Sequence, residues 1–290
     1  MTAKAARLWP DSATILERSK GVFFAQWEEL LRLKRLAMKT SDPDDIHDLR
    51  VASRRFRAAL ELFYPLVPKG PKTELRKNVR NLTRSLGGLR NVDEALVFFQ
   101  SRVPINVSSD CKLTFELSEL RSRELKRIEK ALKTFQHKHL DQIVRKMVAG
   151  INEASITEQK SISLLAYFSD VSIRQYMPIH QLLAGSTVPE HRASRHALRI
   201  AIKKWRYFFE IVARILNRDY TPVLAQLKEY QSILGRMNDI AEFEVLLNNL
   251  KLPLAELKYF EDTLLAEDTN LLKSFTQLLE QKPLTYTFLI

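Results

Sequence analysis

A histidine followed by arginines and lysines at helical spacing occurs twice in this chain. His47 heads the run His47-Asp48-Leu49-Arg50-Val51-Ala52-Ser53-Arg54-Arg55-Phe56-Arg57. His196 heads His196-Ala197-Leu198-Arg199-Ile200-Ala201-Ile202-Lys203-Lys204-Trp205-Arg206. The cations correspond one to one: Arg50 with Arg199, Arg54 with Lys203, Arg55 with Lys204, and Arg57 with Arg206. Each residue of an α-helix turns by about 100°, so His47, Arg50, Arg54 and Arg57 fall within a sector of roughly 80°. His196, Arg199, Lys203 and Arg206 do the same. Each stripe is about 15 Å long, with Arg55 or Lys204 to one side. The other face is apolar in both copies: Leu49, Ala52, Phe56, Leu60 and Phe63 in the first, Leu198, Ile202, Trp205 and Phe209 in the second.

The chemistry that such a stripe supports is the binding of an anion. Like charges at this spacing each cost roughly 0.2–0.5 kcal/mol on an exposed helix. The stripes carry no relieving acid until Glu61 and Glu210. An elongated anion along the stripe turns repulsion into attraction. Arginine offers forked donors to phosphate oxygens, lysine a point charge, and histidine a donor near neutral pH. A basic helix face is most often plain solvated surface. Recurrence of order, spacing and apolar backing argues against that reading here.

The elements that must position these residues are all helical. Seven glycines in the whole chain leave long stretches of unbroken helical periodicity, and strand-like alternation is nearly absent. Helices are expected over about 12–38, 42–64, 72–88, 91–103 and 113–148, with a break at Pro68-Lys69-Gly70-Pro71. The second half repeats the order over about 158–183, bent before Pro178, then 190–217, 221–235, 239–250 and 253–280. A second element also recurs: Ser85-Leu86-Gly87-Gly88-Leu89-Arg90-Asn91 matches Ile233-Leu234-Gly235-Arg236-Met237-Asn238-Asp239. It is read as helix termination and packing rather than ligand contact. The expected fold is therefore all-α, an internal repeat of two four-helix-bundle-like halves, 1–150 and 151–290.

The balance of 46 Lys and Arg against 34 Asp and Glu leaves a net charge of +12, which favours anionic partners. Cys111 is the single cysteine, which excludes an intrachain disulfide and a cysteine-rich metal site. Residues 1–10 lack the apolar core of a signal peptide, and no apolar run is long enough to span a bilayer. A soluble cytoplasmic protein without membrane insertion is expected. Lys77 and Arg80, with Arg76 and Arg84, extend the positive surface onto the helix that follows the first histidine helix. Arg123, Arg127, Lys130 and His137 form a further stripe.

These motifs closely resemble the CHAD family, the conserved histidine α-helical domain. The likeness rests on the two histidine runs and on the two Leu-Gly elements, in order, from about 12 to 280. It implies two four-helix bundles related by a pseudo-two-fold axis. It also implies non-catalytic binding of long-chain inorganic polyphosphate along a basic surface or central pore, at polyphosphate granules, with granule proteins as further partners. The implied binding residues are His47, Arg50, Arg54, Arg55, Arg57, His196, Arg199, Lys203, Lys204 and Arg206, and the residue reading adds Lys77 and Arg80. No cofactor and no metal are implied. The chain reads as a stand-alone member without the CYTH triphosphatase domain of many relatives. It departs from the family pattern at two positions: Asn91 stands at the usual Asp of the first Leu-Gly element, and Asn238 at the usual Arg of the second.

Two other classes stay open. A phosphoryl-transfer or polyphosphate-processing enzyme could use the histidines and arginines, although no Gly-rich phosphate loop or acidic metal cluster accompanies them. A nucleic-acid-binding helical protein suits the charge, although Phe56 and Trp205 lie on the apolar faces and offer no stacking platform.

Overall fold

Helix boundaries follow from local chemistry. Asp42 accepts a hydrogen bond from the Asp44 amide at 2.8 Å while Pro43 takes the first helical position. Ser163 caps another start through the Ala166 amide at 3.3 Å. Asn217 ends a helix in the left-handed region at φ 50°, a conformation asparagine tolerates. In this computed structural model, residues 9–40, 42–67, 72–102, 112–151 and 163–288 are described. They form α1 (Ser12–Thr40), α2 (Pro43–Phe63), a 3-10 turn (Tyr64–Leu66), α3 (Lys72–Gln100), α4 (Lys112–Thr134) and α5 (His137–Gly150). The second half supplies α6 (Leu164–Ser186), α7 (Arg192–Leu216), α8 (Thr221–Asn249) and α9 (Leu254–Gln281). No strand occurs among the described residues, so the fold is all-α. The expected loop at Pro68–Pro71, the thiol of Cys111 and the start of the segment expected at 158 lie outside them.

Three boundaries differ from the sequence expectation. The Leu-Gly elements do not terminate helices: α3 runs through Gly87 and Gly88, and α8 through Gly235. A glycine inside a helix costs about 1 kcal/mol relative to alanine, less than the 1.5–3 kcal/mol or so from burying one large apolar side chain. Around these glycines Leu86, Leu89 and Val92, and likewise Leu234 and Met237, are buried. Gly88 also faces α4, where the flexible end of Glu124 occupies the place a Cβ would take. Conversely, the long helix expected over 113–148 breaks between α4 and α5. The Phe135 carbonyl accepts from the His137 amide at 2.9 Å, and the Phe135 ring turns inward to lie 6.4 Å from Trp27.

Helices pair in the same order in each half: α1 with α2, α2 with α3 and α3 with α4, then α6 with α7, α7 with α8 and α8 with α9. Across the halves α1 and α2 pack on α7, and α3 on α8. A single large apolar core runs through both halves. A smaller one, around Phe98, Phe99, Phe243 and Phe260, joins α3, α4, α8 and α9. Both expected apolar faces are buried in the large core, including Leu49, Phe56, Leu60, Phe63, Leu198, Ile202, Trp205 and Phe209. No helix among the described residues is long and apolar enough to cross a membrane.

Phe56 is fully buried, its ring 5.5 Å from Phe23 and 5.1 Å from Trp27. Phe56→Ala is expected to destabilise the fold by about 3–5 kcal/mol, read as a lower denaturant midpoint at unchanged slope.

Candidate polyanion site between two histidine helices

The apolar faces of α2 and α7 decide where their charges go. With Phe56 and Trp205 anchored in one core and the two helices packed on each other, the basic stripes meet. Arg50 and Arg54 of α2 and Arg199 and Lys203 of α7 lie within one another's fields, joined by Arg90 of α3. The sequence leads one to expect a ridge on each half; the fold makes a single cluster of five basic side chains from three helices.

The cluster is partly withdrawn from water. Arg50 is 7 % exposed. Burial, then the charges of Arg54 and Arg90, bring its guanidinium down to about 10. Burial also lowers Arg54 and Arg199. Lys203 is the most perturbed: burial first, then Arg54, Arg199, Arg50 and Arg90, push its ammonium down to about 6. The Nε atoms of Arg50 and Arg199 are buried without a hydrogen-bond partner, as is that of Arg206. Buried donors are normally paired, and perturbed titratable groups gather at functional sites.

One acid intrudes. Asp239 of α8 is the one buried carboxylate among the described residues. It accepts from both Arg90 terminal nitrogens, the Nη2–Oδ2 distance being 2.7 Å. Burial opposes the charge on Arg90, but these bonds and the fields of Asp239, Glu94 and Glu242 outweigh it and hold Arg90 above its ordinary value. Arg90 and Asp239 are the residues that sequence reasoning missed. The signal was present in the two departures. In the two Leu-Gly elements Arg90 corresponds to Asn238 and Asn91 to Asp239, so the cation missing from one copy and the acid missing from the other have complementary survivors, which pair across the halves.

The remaining candidates are arranged around this centre. His47 is exposed and lines a cleft with Arg50, Arg90 and Arg121, together with Asp93 and Glu94. His196 is exposed, and its Nδ1 donates to the Asn238 side-chain oxygen at 2.6 Å. Arg57 is exposed and its field reaches Arg54. Arg55 and Arg206 are both engaged by Glu210, at 3.2 and 3.6 Å, so the protein partly neutralises this end itself. Lys204 is exposed to one side. On α3, Arg80 is turned roughly 80° from Arg90 and Lys77 roughly 140°, which sets Lys77 away from the cluster. Arg76 is paired with Glu61 at 2.7 Å. Arg123, Arg127 and Lys130 are exposed on α4, with Arg127 3.4 Å from Glu124. Among the described residues no group of three His, Cys, Asp or Glu is placed to hold a metal. The central side chains Arg50, Arg54, Arg199 and Lys203 are all donors, suited to anion oxygens.

The sequence matches the CHAD domain family over residues 21–248. The fold is similar to that of the CHAD domain from the plant Ricinus communis, with a TM-score of 0.73 at 22% identity over 99% of this chain and 98% of that one. It is also similar to PptA from Streptomyces chartreusis, with a TM-score of 0.70 at 16% identity over 93% of this chain and 99% of that one. No curated protein matches the sequence.

Concentrating cations at a seam costs stability. Lys203 binds fewer protons folded than unfolded between about 6 and its ordinary value of 10.5, so this group makes the unliganded fold more stable as pH rises through that window. Lys203→Met is expected to raise stability near neutral pH by the order of 1 kcal/mol and to flatten that rise, measured by denaturant unfolding across pH.

Proposed function

The chain belongs to the CHAD domain family, which is associated with polyphosphate binding, and from this we propose that it binds long-chain inorganic polyphosphate without chemical turnover. The ligand lies across the seam between α2 and α7, contacting Arg50, Arg54, Arg199 and Lys203 at the centre, with His47, Arg57, His196 and Lys204 along the approaches. The protein works in the cytoplasm at polyphosphate granules. The observation that carries this reading is the convergence of basic side chains from both halves on one seam where, among the described residues, a single buried carboxylate stands against them. Their mutual repulsion is strain that a linear polyanion relieves, and each charge-assisted hydrogen bond contributes about 1.5–3 kcal/mol where water is partly excluded.

Phe56 and Trp205 are buried, so the seam offers a nucleic acid no ring from either to stack on. Duplex DNA at equal charge concentration should fail to displace labelled polyphosphate; efficient displacement would replace this reading with general polyanion binding. Affinity should fall as salt rises, because association releases counterions. Replacing Arg50, Arg54, Arg199 and Lys203 together by glutamine should weaken binding at least about a hundredfold with helicity retained, measured by titration and circular dichroism. Purified protein should release no phosphate from pure polyphosphate; release that is lost in His47→Ala would establish an enzyme instead.

A further inference from the structure

Arg54 and Lys203 hold corresponding positions in the two histidine helices. They differ in one respect. A guanidinium keeps its proton throughout the working range of proteins, whereas an ammonium withdrawn from water can release it. The groups around Lys203 favour release. Lys203 is half-buried on α7 where that helix packs on α2, and Arg50 and Arg54 from α2, Arg90 from α3 and Arg199 one turn earlier on α7 all act on it. Among the described residues its Nζ has no hydrogen bond or ion pair. The acids nearby are engaged elsewhere: Asp239 of α8 holds Arg90, and the field of Glu242 falls on Arg90 and Arg199. Tyr207, one turn later on α7, acts on Arg50 and Arg54. α6 meets α7 through Trp205, which reaches Ser172 and Tyr176, and α1 reaches the far end of α7 through Arg18 on the Ile215 carbonyl.

Resting on the polyphosphate reading, we propose that ligand binding draws one proton from solvent onto Lys203 Nζ, so that the seam grips its ligand more tightly as pH falls. In the free protein Nζ titrates at about 6, so above that pH it is largely neutral. Phosphate oxygens laid over Arg50, Arg54 and Arg199 supply the negative field that the unliganded seam lacks, and the ammonium form becomes favoured. The bound value therefore lies above the free one. Between the two, association takes up a proton and affinity falls as pH rises; below about 6 Nζ is already charged and contributes no dependence. The first histidine helix has no such response at the same position, because Arg54 stays charged. A difference of one side-chain type between otherwise matching stripes makes one of them proton-sensitive.

Lys203→Arg removes the titration and keeps the charge. Binding of long-chain inorganic polyphosphate is measured for both proteins from about pH 6 to about pH 8.5 at fixed ionic strength, where wild type should lose up to about tenfold in affinity per pH unit relative to the variant. His47 and His196 are exposed titratable groups common to both proteins, so the difference isolates Lys203. Calorimetry in buffers of different ionisation enthalpy near pH 7.5 should show roughly one more proton taken up by wild type than by Lys203→Arg. Wild type alone gives a check that does not need the variant to fold: zero net uptake near that pH overturns the proposal. Parallel pH profiles for the two proteins also overturn it while leaving polyphosphate binding intact. Absence of binding by wild type at every pH overturns the polyphosphate reading and this one together.

Discussion

The packing of α2 on α7 is the constraint on which the rest depends. Each helix has one apolar and one basic face, and the core settles which way both turn. Phe56 and Trp205 enter the shared core, so the opposite faces meet along the seam and charges accumulate there. Repulsion among them is tolerated because it is set against the burial of many large side chains, each worth about 1.5–3 kcal/mol. Stability is thus made in the core and given up at the seam, the usual division between scaffold and site. The helix backbones cannot separate these charges without dragging an aromatic anchor out of the core.

Arg90 and Asp239 show how the seam limits that strain. Arg90 adds a further basic side chain to a crowded place, yet it stays charged because Asp239 comes with it from the other half. The pair adds no net charge, orients a donor-rich side chain at the centre and ties α3 to α8. The matching positions of the two Leu-Gly elements, Asn91 and Asn238, are both neutral. Asn238 now receives His196 Nδ1 and Asn91 reaches towards Glu242 at 3.4 Å, so neutral partners fill the places that a second charged pair would hold.

Much of this was legible in the sequence because it rests on periodicity. The all-helical class, the buried faces of α2 and α7 and the four central cations all follow from a repeat of about 3.6 residues. What the periodicity could not supply was the relation between the two copies. A helical wheel places Arg50 and Arg199 on basic faces but not on the same seam, and it gives no sign that Glu210 would reach both Arg206 and Arg55. The glycines misled for a related reason. Gly87, Gly88 and Gly235 look like stops in a single helix, whereas tertiary contacts carry α3 and α8 through them, and at Gly88 the absent side chain is what lets Glu124 approach. Phe135 is the converse case: a good helical neighbour by pattern, pulled out of register by burial against Trp27.

The depth of the cations bears on the kind of polyanion that suits them. Arg50 is almost entirely covered, and Lys203 and Arg199 are partly so. A wide duplex resting on the surface would meet His47, Arg57 and Lys204 and leave the central charges without partners. On the proposed reading, a thin flexible chain brings its oxygens nearer to the central guanidinium groups than a duplex does. Selectivity of this kind comes from geometry, because every polyanion satisfies the charge and few satisfy the depth.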